Sequence, residues 1–154
     1  MLRFDHVGVI VEDLDAAEDF FLALGFESDG RMVVDGKVVD RINGLEGVRA
    51  ELVMVRTPDR TGCLELIRYH SPRSGEGVEH HPADRLGYRH IAIEVDDVHG
   101  TVERLGEKGF GLVGDVQDYG TSWRLVYVRG PEGLIVELAE RLGASTREAE
   151  NNIS

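Results

Sequence analysis

Cysteine is nearly absent from this chain. Cys63 is the only one, so no disulfide can form within the molecule, and the composition fits a reducing compartment. No apolar run approaches the length of a membrane span, and no membrane partner is expected. The first residues, Met1-Leu2-Arg3-Phe4-Asp5, pass straight into strand-like sequence without a signal-peptide pattern, so a cytoplasmic location is expected. Positive charge is also scarce: 17 Lys and Arg stand against 29 Asp and Glu, for a net charge of −12. A nucleic-acid partner calls for a basic face, so none is expected. The acidity favours solubility and leaves open an anionic small-molecule substrate, because a few arginines can gather within an acidic protein.

What the sequence does have is a repeat. Phe4-Asp5-His6-Val7-Gly8-Val9-Ile10-Val11-Glu12-Asp13-Leu14 is echoed by Tyr88-Arg89-His90-Ile91-Ala92-Ile93-Glu94-Val95-Asp96-Asp97-Val98. With His6 placed on His90 and no gap, Gly25-Phe26 falls on Gly109-Phe110. The later segments match too: Leu52-Val53-Met54-Val55-Arg56-Thr57-Pro58 aligns with Leu125-Val126-Tyr127-Val128-Arg129-Gly130-Pro131, and Leu64-Glu65-Leu66 with Val136-Glu137-Leu138. Self-similarity of this kind implies two copies of one structural unit. The 154 residues, 42% of them hydrophobic, suffice for one domain with a real core. That domain is expected over 1–142, with a first module at about 1–70, a linker at 71–87 rich in Pro, Gly, Ser, Glu and His, a second module at about 88–142, and a fraying polar tail at 143–154.

Periodicity predicts the elements. Residues 3–11 alternate as a strand, with Val7, Val9 and Val11 on one face and Phe4, His6, Gly8 and Ile10 on the other. Asp13 or Asp15 caps a helix whose buried stripe is Leu14, Ala17, Phe21 and Leu24, ended by Gly25. A strand over 26–34 is interrupted at Asp29-Gly30. Residues 35–47 read as a loop of helical character, with Val38, Ile42 and Leu45 in one stripe, and as a mobile cover over a site. Strands follow over 48–57 and 63–69, the latter with Leu64 and Leu66 opposite Cys63, Glu65, Ile67 and Tyr69. The second copy predicts a strand over 88–95, a helix through Val98, Val102 and Leu105 capped by Asp97, and a strand over 110–116. A loop over 117–122 and strands over 123–129 and 134–139 complete it. Each copy is thus strand, helix, then three strands, an α+β arrangement.

Each copy puts a histidine on its first strand and a glutamate on its last. His6, Glu65, His90 and Glu137 all lie on faces opposite the aliphatic ones. With a helix over each aliphatic face, the four share the helix-free side. Two imidazoles and two carboxylates converging there suit a divalent metal with mixed nitrogen and oxygen ligands. A sheet with one wet face also alternates this way, so the pattern alone leaves a solvated reading open.

At these residues the chain resembles the vicinal oxygen chelate superfamily, which contains glyoxalase I, methylmalonyl-CoA epimerase, extradiol dioxygenases, fosfomycin-resistance enzymes and bleomycin-resistance proteins. The motifs are Asp5-His6-Val7-Gly8-Val9, Leu64-Glu65-Leu66, Arg89-His90-Ile91-Ala92-Ile93-Glu94-Val95 and Gly130-Pro131-Glu132-Gly133-Leu134-Ile135-Val136-Glu137-Leu138, and the likeness covers about residues 3–142. It implies two βαβββ modules forming a cup-shaped mixed sheet with helices on the convex face. It also implies one divalent metal ion (Ni, Co, Zn, Mn or Fe) held by His6, Glu65, His90 and Glu137. Two histidines with two glutamates look like glyoxalase I; the epimerase often has glutamine at the position of Glu65. Dioxygenases and fosfomycin enzymes usually keep one glutamate, and bleomycin-binding members usually lack the ligands.

The resemblance therefore implies a metal-dependent lyase or isomerase that works through an enediolate on an α-carbonyl substrate, with Glu137 or Glu65 as general base. The alternatives are a non-catalytic small-molecule binding protein and an extradiol dioxygenase; the latter needs an acid–base histidine or tyrosine that the sequence does not place. A homodimer is expected, as is common in such families. Arg41, Arg56, Arg68 and Arg124 are candidates for an anionic substrate group, and Tyr69, Tyr119 and Trp123 for pocket lining. Cys63 reads as an inert buried thiol. His70, His80, His81 and His99 lie in or beside loops and are given no role.

Overall fold

The computed structural model describes residues 3–75, 77 and 79–143. Most of the predicted polar tail, 144–154, lies outside the described residues. The chain divides into two compact units, 1–79 and 80–154.

The first unit runs β1 (Val7–Ile10), α1 (Leu14–Leu24), β2 (Glu27–Asp35), α2 (Lys37–Asn43), β3 (Arg49–Arg56) and β4 (Cys63–Ser71). Its sheet has the order β1-β4-β3-β2. β1 lies parallel to β4, with Val7 opposite Leu64 and Gly8 opposite Glu65, while the other pairs are antiparallel. Asp13 caps α1 by accepting the Ala16 N–H at 3.0 Å. Gly25 ends it at φ 105°, a left-handed conformation that a side chain would strain. The buried stripe is wider than predicted: Phe20 joins Leu14, Ala17, Phe21 and Leu24. The Phe20 and Phe21 rings meet edge to face at 5.2 Å, and neither is exposed to solvent. Each such ring stabilises the fold by about 1.5–3 kcal/mol through burial. α1 packs on β2, β3 and β4, against the face holding Val53, Val55, Leu64 and Leu66.

Asp29-Gly30 does not break β2. The register shifts between Ser28 and Arg31, a bulge made at Gly30 with φ 118°, and pairing resumes. Between 35 and 47 the chain forms α2, a helix of seven residues, where a loop of helical character was predicted. Its apolar positions Val38 and Ile42 are exposed, so the predicted stripe is not what holds the helix. The buried residue is Asp40, whose Oδ1 accepts the Val48 N–H at 2.7 Å and ties α2 to the start of β3.

The second unit runs β5 (His90–Glu94), α3 (Val98–Glu107), β6 (Gly111–Leu112), β7 (Gln117–Tyr119), β8 (Trp123–Arg129), a 3-10 turn (Pro131–Gly133) and β9 (Ile135–Arg141). The sheet order is β5-β9-β8-β6, with β7 also paired to β8 and β5 parallel to β9. Asp97 caps α3 through the Gly100 N–H at 3.0 Å; a Cβ on Gly100 would sit 2.4 Å from the capping carboxylate, so glycine is required there. The buried stripe is Val98, Thr101 and Leu105, and Val102 sits only half-buried beside it. α3 packs on β8 and β9, over Val126, Val128, Val136 and Leu138.

Two expectations need correction. The strand predicted over 110–116 shrinks to Gly111–Leu112, and the loop predicted over 117–122 begins as β7. The physical reason is a hairpin: Gln117, Asp118 and Tyr119 pair back onto Leu125, Arg124 and Trp123, and Arg124 donates to Asp118 at 2.8 Å. β4 also runs through Ser71, into the predicted linker, and the strand predicted from Tyr88 starts at His90.

The hydrogen bond from the Val48 N–H holds the Asp40 carboxyl below the ordinary aspartate value of 3.8. A lowered native pKa adds stability that is complete above the unfolded value and is lost as pH falls through the native one. Asp40→Asn is therefore expected to flatten the acid side of the stability–pH curve. Urea midpoints collected from about pH 2.5 to 7 measure this, and an acid limb as steep as the parent's refutes it.

Candidate functional site

The parallel pairing of first and last strand builds the site in each unit. In the first, His6 stands one residue ahead of β1, and Glu65 lies opposite Gly8. Side chains alternate, so His6, Gly8 and Glu65 share a face, and His6 Nε2 is 3.4 Å from Glu65 Oε2. In the second unit His90 opens β5, Glu137 lies opposite Ala92, and His90 Nε2 is 3.1 Å from Glu137 Oε2. Both pairs are partly open to solvent: the histidine side chains are 36% and 38% exposed.

The distances fit metal ligation. Two ligands that each stand about 2.1 Å from one cation lie about 3.0 Å apart at octahedral angles and about 3.4 Å at tetrahedral ones. The 3.4 Å of the first pair exceeds an ordinary N–H···O hydrogen bond. His6 is oriented from behind: Asp5 Oδ2 is 2.6 Å from His6 Nδ1, which leaves Nε2 facing Glu65. A carboxylate on the far ring nitrogen fixes tautomer and ring angle in metal-binding histidines. Among the described residues, no third His, Cys, Asp or Glu completes either pair into a group that could hold a metal ion.

Comparison with known proteins identifies the family. A family model described as Glyoxalase/Bleomycin resistance protein/Dioxygenase superfamily matches residues 3–138. The chain belongs to this superfamily. A glyoxalase family protein from Bacillus cereus is 39% identical, with a TM-score of 0.89 over 93% of this chain and 96% of that one. The uncharacterized protein YwbC of Bacillus subtilis (strain 168) is 27% identical over 142 residues, 90% of this chain and 98% of that protein. TnmS3, an antibiotic binding protein from Streptomyces sp. CB03234, shares the fold with a TM-score of 0.55 at 20% identity, over 92% of this chain and 99% of that one. The α+β fold of βαβββ-type modules is thus the superfamily's fold.

This glyoxalase-superfamily chain surrounds its two pairs differently. Tyr127 of β8 lies directly opposite Glu137, and its ring is 4.9 Å from that of His90. Burial first, and the negative charge of Glu137 second, push the Tyr127 phenol above its ordinary value. The corresponding residue of the first unit is Met54, opposite Glu65. Sequence reasoning missed Tyr127, and the signal was available in its register with Glu137 and its parity on the strand. In place of Asp5 the second unit has Arg89, and in place of Gly8 it has Ala92.

The remaining candidates sort themselves by partner. Arg56 donates to Asp29, and Arg124 pairs with Asp118 and Glu140; both charges are already matched. Arg41 is exposed on α2, and Arg68 is half-buried in β4. Trp123 lies under the Arg141 guanidinium at 4.4 Å, and Tyr119 is exposed. The Tyr69 hydroxyl donates to Asn43 Oδ1 at 2.6 Å, and Tyr69 also lines a cavity of the first unit. His70 lies near the end of β4, 3.4 Å from Glu51, and His99 lies in the first turn of α3.

Cys63 is buried, and that burial pushes its thiol above the ordinary value of 9.0. A raised pKa leaves little thiolate near neutral pH. The native protein is expected to react with 5,5′-dithiobis(2-nitrobenzoate) at pH 8 at least tenfold more slowly than the guanidinium-unfolded chain. Equal rates would contradict that burial.

Proposed function

We propose that this superfamily member is a metal-dependent glyoxalase-like lyase or isomerase acting on an α-carbonyl small molecule. In this reading His6 and Glu65 from one unit and His90 and Glu137 from the other supply one divalent cation: Ni, Co, Zn, Mn or Fe. The observation that carries the reading is the repeated pair. A half-exposed histidine–glutamate contact adds on the order of 0–1 kcal/mol to stability, too little to account for the same pair at equivalent positions of both units. A bound divalent ion would polarise the substrate carbonyl and stabilise negative charge on its oxygen.

The chain's own residues handle the proton. Glu137 takes it from the carbon next to the carbonyl and returns it to a neighbouring or opposite position, with Glu65 as the alternative base. Tyr127, packed on the His90 ring, limits water access to Glu137 from the β8 side. Asp5 holds His6 in the tautomer that presents Nε2. The active form is a homodimer located in the cytoplasm; no described helix is long and apolar enough to cross a membrane.

A second reading has one observation in its favour, the partly apolar cavity in the first unit. On it, the protein holds a small molecule without changing it.

Elemental analysis of the purified protein comes first, and one divalent ion per chain is expected. His6→Ala and His90→Ala should each weaken binding of that single ion by tenfold or more in calorimetric titration. Loss in only one variant, or two ions per chain, refutes the shared centre. Glu137→Gln should keep the fold and most of the metal while turnover of hemithioacetals or acyl thioesters falls at least 1,000-fold. Near-normal turnover would exclude Glu137 as the base; tight binding of unchanged ligand by the metal-loaded parent selects the second reading.

A further inference from the structure

The helix-free face of the first unit continues well past His6 and Glu65. Two positions on from His6 is Gly8, and two further is Ile10, 60% exposed on the same face. On β4 the same parity carries Glu65, Ile67 and Tyr69, with Gly8 opposite Glu65 and Ile10 opposite Ile67. Gly8 carries no side chain, and a Cβ there would lie 3.6 Å from Ile67 Cδ1, an ordinary contact, so Ile67 is the side chain that flanks the surface between the imidazole and Ile10. Ile10 and Tyr69, at the far end of this face, line a cavity of about 360 Å³ together with Val11, Leu45 and Pro72, with Glu12, Arg73, Ser74 and Gly75 around it. That volume lies within the ~300–1,000 Å³ of small-molecule sites. Four residue steps along the strand take the chain from His6 to Ile10 and from Glu65 to Tyr69, a span of about 13 Å.

Hydrogen bonds hold the Leu45 and Tyr69 side of the cavity. Gly44 turns left-handed at φ 66° after α2, the Leu45 N–H donates to the Asp40 carbonyl at 3.1 Å, and Asp40 is itself held by the Val48 N–H. The Tyr69–Asn43 hydrogen bond joins β4 to the end of α2. Charge is cancelled where it occurs, because the Arg73 guanidinium is paired with the Glu12 carboxylate. A second anionic group therefore finds no unmatched cation in Arg73, while Ile10, Leu45 and Pro72 offer apolar surface.

We infer that this cavity takes the apolar tail of an elongated substrate whose α-carbonyl head sits at His6 and Glu65. The inference rests on the head-group reading above and adds the substrate class: an α-carbonyl compound with an aliphatic or aryl tail reaching about 13 Å from its head. Leu45, two residues past the end of α2, is then a specificity contact.

The test measures binding, not turnover. Straight-chain 2-oxo carboxylic acids of four to twelve carbons are titrated calorimetrically into the full chain loaded with the metal found on purification. Affinity should rise about three- to fourfold per methylene once the tail passes Gly8, the gain from moving one CH₂ out of water. In Leu45→Glu, an exposed-side change after a helix, the gradient should vanish, and Ile10→Ser serves as a second variant, with circular dichroism confirming the fold of each. A flat series in the parent, or a gradient equal to the parent's in both variants, overturns the cavity assignment. A gradient that collapses in Leu45→Glu but ignores metal removal and His6→Ala keeps the cavity and refutes the head-group reading. Metal-dependent binding with no gradient does the reverse.

Discussion

The parallel contact between first and last strand, made once in each unit, is the constraint on which the rest depends. It sets β1 against β4 and β5 against β9, with each glutamate opposite the residue two places after its histidine. A slip of one residue would send either glutamate to the helix face. What prevents the slip is apolar packing: Val9, Leu64 and Leu66 in one unit, Val126, Val128, Val136 and Leu138 in the other, are all buried and would turn outward with it. The core therefore fixes the polar pairs without touching them.

The two copies have kept the pair and diverged around it. Asp5 stands where the second unit has Arg89, Gly8 where it has Ala92, and Met54 where it has Tyr127. α2 belongs to the first unit alone and the β7 hairpin to the second. One copy thus has a cavity at the end of its helix-free face, and the other has an aromatic ring beside its carboxylate. Such differences give the same pair different surroundings in the two halves of a duplicated frame. Superfamily membership fixes the frame and leaves the substrate to these local residues.

Much of the fold was legible because its signals are local. Period-2 alternation placed His6 and Glu65 opposite their aliphatic neighbours, and Asp13 with Gly25 bracketed α1. The reading failed where a distant partner decided the outcome. Gln117–Tyr119 has little strand character of its own and becomes one by pairing with β8. The stripe of Val38, Ile42 and Leu45 suggested packing, yet a buried carboxylate bond from Asp40 holds α2. Phe20 was not part of the predicted stripe and is core, since α1 lies against three strands at once.

By itself the sequence determined that there are two copies, which residues share a strand face, and which four side chains repeat, because repetition and periodicity are properties of neighbouring residues. Only the tertiary structure decided that residues 59 positions apart, His6 and Glu65, come within 3.4 Å, and that Tyr127 rather than another aromatic stands beside Glu137. Those facts depend on which strands lie side by side and in what register, and non-local packing settles both.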